Sequence, residues 1–360
     1  MSRHRSAALG DRLRTSYQAE LALLDRRSRR VAFAALAAAL AAFPFLASAF
    51  QLDLANQVLL ASIGAVAFML LTGYAGQVSL GHAGLLAAGA FTTGILYKEL
   101  DAPIWATLPA SALVGAALGL VFGLPSLRLR GLYLAVSTLA LHFIVIYAGM
   151  EYEARRSYST GVVIDPPAIG GWTLASPLAW YFVLLGFAAA AVLVALNLLR
   201  SRTGRAWRAI RGREAVAEAL GIHVPAAKLL AFLVSSVMTA VAGCLFAYYR
   251  GFVSSEAFTL YVTIQYAAMI IIGGMGSILG AVLGTIFVTL FPYFIEYLVA
   301  TLPVPQSWVD SIYAVNYAAF GLVMILFLVL EPQGLVGLWR RAKQYFLLWP
   351  FKQRPLRASQ

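Results

Sequence analysis

Residues 70–89 read "LLTGYAGQVSLGHAGLLAAG": five glycines in an apolar setting, with the polar residues Gln77, Ser79 and His82 inside six positions. A glycine in a helix interior costs about 1 kcal/mol relative to alanine, and an uncompensated polar side chain in hydrocarbon is costly as well. The flanking residues on both sides are nevertheless strongly hydrophobic. The stretch therefore reads as a break between two apolar helices, and its meaning depends on what those helices are for.

Working outward, the 360-residue chain is 61% hydrophobic and only 12% charged, with a mean hydropathy of +0.80. A soluble domain carries about 25% charged residues. Here the charges are clustered, and the uncharged runs between them approach the roughly 20 residues an α-helix needs to cross about 30 Å of hydrocarbon. The fold class is all-α, a polytopic helical membrane protein; a transmembrane barrel would show short alternating segments instead. Ten spans are predicted, at 31–50, 56–74, 79–97, 103–123, 131–150, 177–199, 227–249, 259–275, 277–298 and 311–330. They form a transmembrane domain over 31–330, between a basic N-terminal segment (1–30) and a basic C-terminal tail (331–360).

Alternating these spans across the bilayer sorts the connecting segments onto two sides. Residues 1–30, 124–130, 200–226 and 331–360 hold 22 of the 27 Lys and Arg, and Lys228 adds one more; only Lys98, Arg155, Arg156 and Arg250 fall on the other side. By the positive-inside rule the rich side is cytoplasmic, which puts both termini inside. The net charge of +12 is thus accounted for by membrane orientation. The basic run "RSRTGRAWRAIRGR" (200–213) joins two spans, so no nucleic-acid partner is expected; the expected surroundings are membrane lipid. Residues 1–30 carry eight Arg and lack the apolar core of a signal peptide. Leu9, Leu13, Tyr17, Leu21 and Leu24 suit either a short amphipathic helix on the membrane surface or a solvated tail.

Motifs for chemistry are missing. There is no HExxH, no GxSxG and no GxxxxGK[ST], so this chain is not expected to hydrolyse ATP or act as an enzyme. The single cysteine, Cys244, lies in an apolar run and reads as a packing residue, and no metal site is expected. Polar residues within spans remain: His142 in "STLALHFIVIY", Gln265 in "YVTIQYAAMIIIGG" and Asn316 in "YAVNYAAFG". Each suits an interhelical hydrogen bond or the lining of a path. A second glycine run, "GGMGSILGAVLG" (273–284), resembles the first in character, and Ser79 and Ser277 each sit where they could cap the helix that follows. The pair hints at an internal repeat. Gly76, Gln77, Ser79, Gly81, His82, Gly84, His142, Gln265, Gly274, Gly276, Ser277 and Gly280 are therefore candidates for a translocation path or its hinges, tight packing being the simpler alternative.

The largest basic connection, within 200–226, favours helix at 206–210 and 214–220, with Gly204, Gly212 and Gly221 as interruptions. Trp207, Ile210, Val216 and Leu220 give it an apolar side, which either packs on the chain's own spans or docks on a cytosolic subunit.

With its "GREAVAEALGI", this loop resembles the coupling segment of permease subunits of bacterial ABC importers. Together "TGYAGQVSLGHAG" (72–84), "LPSLRLRGLYLAVSTLAL" (124–141), "GRAWRAIRGREAVAEALGI" (204–222) and "IIIGGMGSILGAVLG" (270–284) are similar to the branched-chain (hydrophobic) amino acid permease family, over roughly residues 55–335. The resemblance implies an ABC importer permease fold in the bacterial inner membrane and a multi-part system: a periplasmic solute-binding protein, a second homologous permease subunit and two cytosolic ATPase subunits. The ATPases, not this chain, would hold ATP and Mg. It implies ATPase coupling through Gly204, Arg205, Trp207, Arg208, Arg211, Glu214, Ala215, Glu218 and Gly221, with the arginines meeting acidic residues and Trp207 and Leu220 as anchors. Gly221 stands seven residues after Glu214, one more than the general importer pattern. The expected cargo is branched-chain or other hydrophobic amino acids; urea, short amides or aromatic carboxylates are the alternatives within the family. An ion-coupled transporter working alone would need a mid-membrane acid, and Glu296 lies near an outer end.

Overall fold

The computed structural model describes residues 27–127, 129, 131–158, 161–169, 172–301, 312–331 and 333–348. The expected surface helix around Leu9–Leu24 lies outside them, as do Arg128 and Arg130. Contacts divide the chain between Leu52 and Asp53. The first unit is α1 (Arg27–Leu46) and the opening turn of α2 (Ala49–Phe68); α1 exposes Val31, Phe33 and Phe45. The second unit continues through α3 (His82–Leu100), α4 (Ile104–Ser126), α5 (Leu132–Arg155) and α6 (Pro177–Arg200). The loop helices α7 (Arg202–Gly212) and α8 (Glu214–Ala219) precede the long α9 (Val224–Arg250). After it come α10 (Leu260–Gly273), α11 (Ile278–Thr301), α12 (Ile312–Leu330) and α13 (Gly334–Leu348).

Each of the ten expected apolar stretches is helical. By length and apolarity, however, six helices among the described residues qualify alone as spans, and a seventh if α12 and α13 are taken as one bent span. The reasons are local. Helix α10 has 14 residues, about 21 Å at 1.5 Å per residue. Helix α3 is rich in Gly, Ala and Thr and is buried in protein over its first three turns. The expected basic tail also begins as a helix, α13, which packs on α10 and α11.

Helix α9 is packed between α3 and α4. The approach is close because glycine allows it: a Cβ on Gly89 would overlap the Ala240 carbonyl, and one on Gly243 the Leu86 carbonyl. Small residues at such crossings are how helices associate where lipid gives no hydrophobic drive. Hydroxyls tie the bundle across helices: Ser235 donates to the Ala67 carbonyl at 2.9 Å, and Thr107 and Tyr248 share a hydrogen bond of 2.9 Å. Outward, α4 and α5 expose Trp105, Leu113, Leu132 and Tyr133 at 71–77%, the pattern of a surface solvated by lipid or covered by another membrane subunit.

The contacts sort as the charge pattern requires. Segments assigned to the basic side meet one another: Arg211 donates to the Gly73 carbonyl, and Gln77 to the Lys228 carbonyl. Segments assigned to the other side do likewise. Arg156 pairs with Glu99, Tyr97 donates to Asp165, Ser255 binds Glu153, and Val162–Val163 pairs antiparallel with Phe252–Val253.

Candidate functional site

The first glycine break begins where α2 widens into a π-helical turn, Met69–Tyr74. The chain then runs irregularly to His82, turning at Gly76 with φ +71°. Side chains from other helices hold it. Gln77 Nε2 donates to the Lys228 carbonyl at 3.0 Å, the Leu80 N–H to Thr138 Oγ1 at 2.8 Å, and the Ala83 N–H to Thr263 Oγ1 at 3.0 Å. Ser79, expected as an N-cap, does not cap α3: Gly81 occupies the cap position, and Ser79 Oγ accepts only from the Gly81 N–H at 3.3 Å. The helix starts later than that spacing required, at His82, and the Ala83 N–H in its first turn has Thr263 Oγ1 as its acceptor.

His82 is buried, its Nδ1 3.5 Å from Thr239 Oγ1 and its ring 4.7 Å from Phe68 and 4.6 Å from Tyr266. Gly81 and Gly84 allow α5 to pack on this turn; a Cβ on Gly84 would lie 2.7 Å from His142 Cα. His142 is buried there, its ring 5.3 Å from Phe143.

The second break, 274–277, is shorter. Gly274 (φ 114°, ψ 107°) and Gly276 (φ +88°) turn the chain, and Ser277 Oγ caps α11 by accepting from the Gly280 N–H at 3.2 Å. Gly273 and Gly280 press backbone on backbone, and Gly334 at the start of α13 presses on Gly274.

The two breaks meet at Arg211. Its guanidinium donates to the Gly73 carbonyl and stands 2.7 Å from where a Cβ on Gly276 would be, while its Cα is 3.3 Å from one on Gly76. Helix α7 is held in place by Trp207, fully buried, whose Nε1 donates to the Ala227 carbonyl at 2.8 Å. Gly204 packs against Leu199. Trp207 is thus an anchor within this chain, not one offered to a partner, and Ile210 is buried with it. The arginines are also engaged internally: Arg205 donates to the Arg200 carbonyl, and Arg208 to those of Leu199 and Gly204. Glu214 pairs with the buried Lys228. Outward the loop presents Ala215, Val216, Glu218, Leu220 and Gly221, with Leu220 74% exposed, beside the exposed Arg202, Arg205, Arg208, Arg211 and Arg213.

A cavity of about 360 Å³ opens among α2, α3, α9, α10 and α11. Of the expected path residues only Gln265 lines it; the others lie in the breaks or, for His82, Gly84, His142 and Gly280, in helices beside them. Gln57, Arg250, Tyr266, Thr289, Tyr293 and Glu296 line it too, and sequence reasoning did not assemble them. The spacing of Arg250 at a helix end and Glu296 near another was visible, but their meeting in space depends on tertiary packing.

A multi-pass helical bundle in which one basic loop grips two helix breaks, beyond which a cavity opens, has the makings of a membrane permease. Residues 50–329 match the family described as "Branched-chain amino acid transport system / permease component", and the chain belongs to that family. It is 31% identical over 324 residues to the high-affinity branched-chain amino acid transport system permease protein LivM of Salmonella typhimurium, covering 83% of this chain and 73% of that one. The LivM of Escherichia coli is 30% identical with the same coverage. The autoinducer 2 import system permease protein LsrC of Enterobacter sp. is 27% identical, covering 68% and 70%. No solved structure matches the chain significantly.

Proposed function

We propose that this chain is one transmembrane subunit of an ATP-driven importer in the bacterial inner membrane. It works beside a second, homologous permease, two cytosolic ATPase subunits that bind ATP and Mg, and a periplasmic binding protein that delivers branched-chain or other hydrophobic amino acids. The chain itself carries out no hydrolysis and needs no cofactor. The family membership and the LivM relatives support this reading, and one observation on the molecule carries the mechanism. The loop 202–223 is rooted in the bundle by Trp207 yet leaves Val216 and Leu220 uncovered, while its Arg211 touches both glycine breaks. An ATPase that seats Val216 and Leu220 and shifts the loop would therefore move Arg211, and with it the helix ends at Tyr74 and Gly273. Alternating access would follow from rotating those ends about the breaks.

The test is Leu220→Asp in the reconstituted complex. Placing a charge at the docking position should reduce both ATPase recovery with the permease and amino acid uptake at least about tenfold, as for an interface anchor, with the chain still inserted at wild-type level. Normal uptake by that variant would reject the docking role.

A further inference from the structure

The cavity has a definite chemistry. Its mouth carries Arg250, the last residue of α9, whose guanidinium lies 6.0 Å from the Phe246 ring centroid, and Glu296 near the end of α11. Neither takes part in an ion pair among the described residues. Deeper, Thr289 Oγ1 is buried without a hydrogen-bond partner, and the wall becomes apolar through Leu60, Leu86, Phe246 and Met269. Met269 is nine residues into α10, about 14 Å at 1.5 Å per residue, so the floor lies near the middle of a bilayer about 30 Å thick. Tyr266 closes that floor, with its other side against His82.

The geometry points to a binding site for a single zwitterionic α-amino acid with an apolar side chain, held by Arg250 at its carboxylate and Glu296 at its ammonium. A cation and an anion without an ion-pair partner among the described residues suit a ligand carrying both charges, and the Thr289 hydroxyl, without a hydrogen-bond partner among them, supplies a further polar contact. An apolar floor suits the side chain. About 360 Å³ is near the small end of ligand pockets, roughly 300–1,000 Å³, which fits one amino acid rather than a peptide. The inference rests on the importer reading above and adds a site in the permease to the one on the binding protein. Its inner wall ends at Tyr266 and His82, and His82 opens α3 directly after the first break, so movement of the break would open the floor.

The experiment uses the purified complex of the full chain with its partner subunits, without the binding protein. Thr289→Cys provides a label at the cavity wall; the native Cys244 is buried. L-leucine at millimolar concentration is expected to slow modification by a small methanethiosulfonate reagent about tenfold, whereas leucinamide, isocaproate and L-lysine should protect several-fold less, each lacking a charge or an apolar side chain. Arg250→Lys and Glu296→Gln should each remove most of the protection by leucine. Equal modification with and without leucine, or protection unchanged by both variants, overturns the site. Loss of the importer reading looks different: the wild-type complex with its binding protein and ATP would then import no apolar amino acid, whatever the labelling shows.

Discussion

The two glycine breaks face the same side of the bundle and share the contact with Arg211, yet they are built differently. The first, 75–81, is long and is tied to three other helices by side-chain hydrogen bonds: its own Gln77 to the Lys228 carbonyl, the Leu80 N–H to the Thr138 hydroxyl, and just beyond it the Ala83 N–H to the Thr263 hydroxyl. The second, 274–277, is short and rests mainly on backbone: Gly273 on Gly280 and Gly274 on Gly334, with Ser277 capping α11 and the Met69 sulfur accepting from the Gly276 N–H at 3.2 Å. Side-chain ties fix a geometry and break one at a time. Backbone packing with fewer and weaker side-chain ties leaves less to break and lets helices slide over each other. The first break thus behaves as a latch and the second as a bearing.

The comparison can be broken by substitution. The largest effect is expected at Gly274. Its φ of 114° with ψ 107° is outside any region an L-residue favours, and a Cβ would lie 2.5 Å from the Gln333 carbonyl. Gly274→Asn should cost about 3 kcal/mol or more, read as a fall in the melting temperature of the purified complex and loss of uptake. Gly76→Asn, at φ +71° where asparagine is tolerated, should cost no more than about 1 kcal/mol in the same assay. Equal damage from the two would mean that the breaks do not differ in kind.

Next in size is Glu214→Gln. It leaves Lys228, whose side chain is 7% exposed, without its carboxylate. Removing one partner of a buried pair typically costs about 3–5 kcal/mol, and the partial exposure of Glu214 argues for the lower end. Thermal unfolding measures it, and the Glu214→Gln, Lys228→Met double variant should recover much of the loss. Smaller again is Gln77→Ala, which strips the Lys228 carbonyl of its hydrogen bond at a cost of about 1–2 kcal/mol; faster amide exchange confined to 75–81 is the expected sign. Ser277→Ala should be mildest, about 1 kcal/mol for one cap, with uptake largely kept.

Much of this was legible in the sequence. The charge asymmetry grouped 200–226 with the first break, and 98–102 with 151–176 and 250–258, and the described contacts join them so, as with Arg211 and Gly73 or Arg156 and Glu99. The glycine runs announced both breaks because only glycine supplies φ near +71° to +114° without strain. What was not legible depends on contacts distant in sequence. Trp207 and Ile210 look like docking anchors in a loop read alone, and only the folded chain reveals that α9 takes them. Ser79 sat at a plausible cap spacing, but α3 begins only at His82, where Thr263, 180 residues beyond Ala83, accepts from the Ala83 N–H. Burial likewise replaced apolar length in α3, so counting spans by hydropathy gives fewer than the ten helical stretches.

Arg211 is where coupling stands or falls, since it bridges the loop and both breaks. The direct measurement compares ATP hydrolysis with L-leucine uptake in proteoliposomes holding the complete complex, wild type against Arg211→Ala. Transmission through this residue requires that the variant keep binding-protein-stimulated hydrolysis within about twofold while uptake falls at least about tenfold, the two activities uncoupled. An Arg211→Ala complex that imports leucine at the wild-type ratio of uptake to ATP consumed would contradict it.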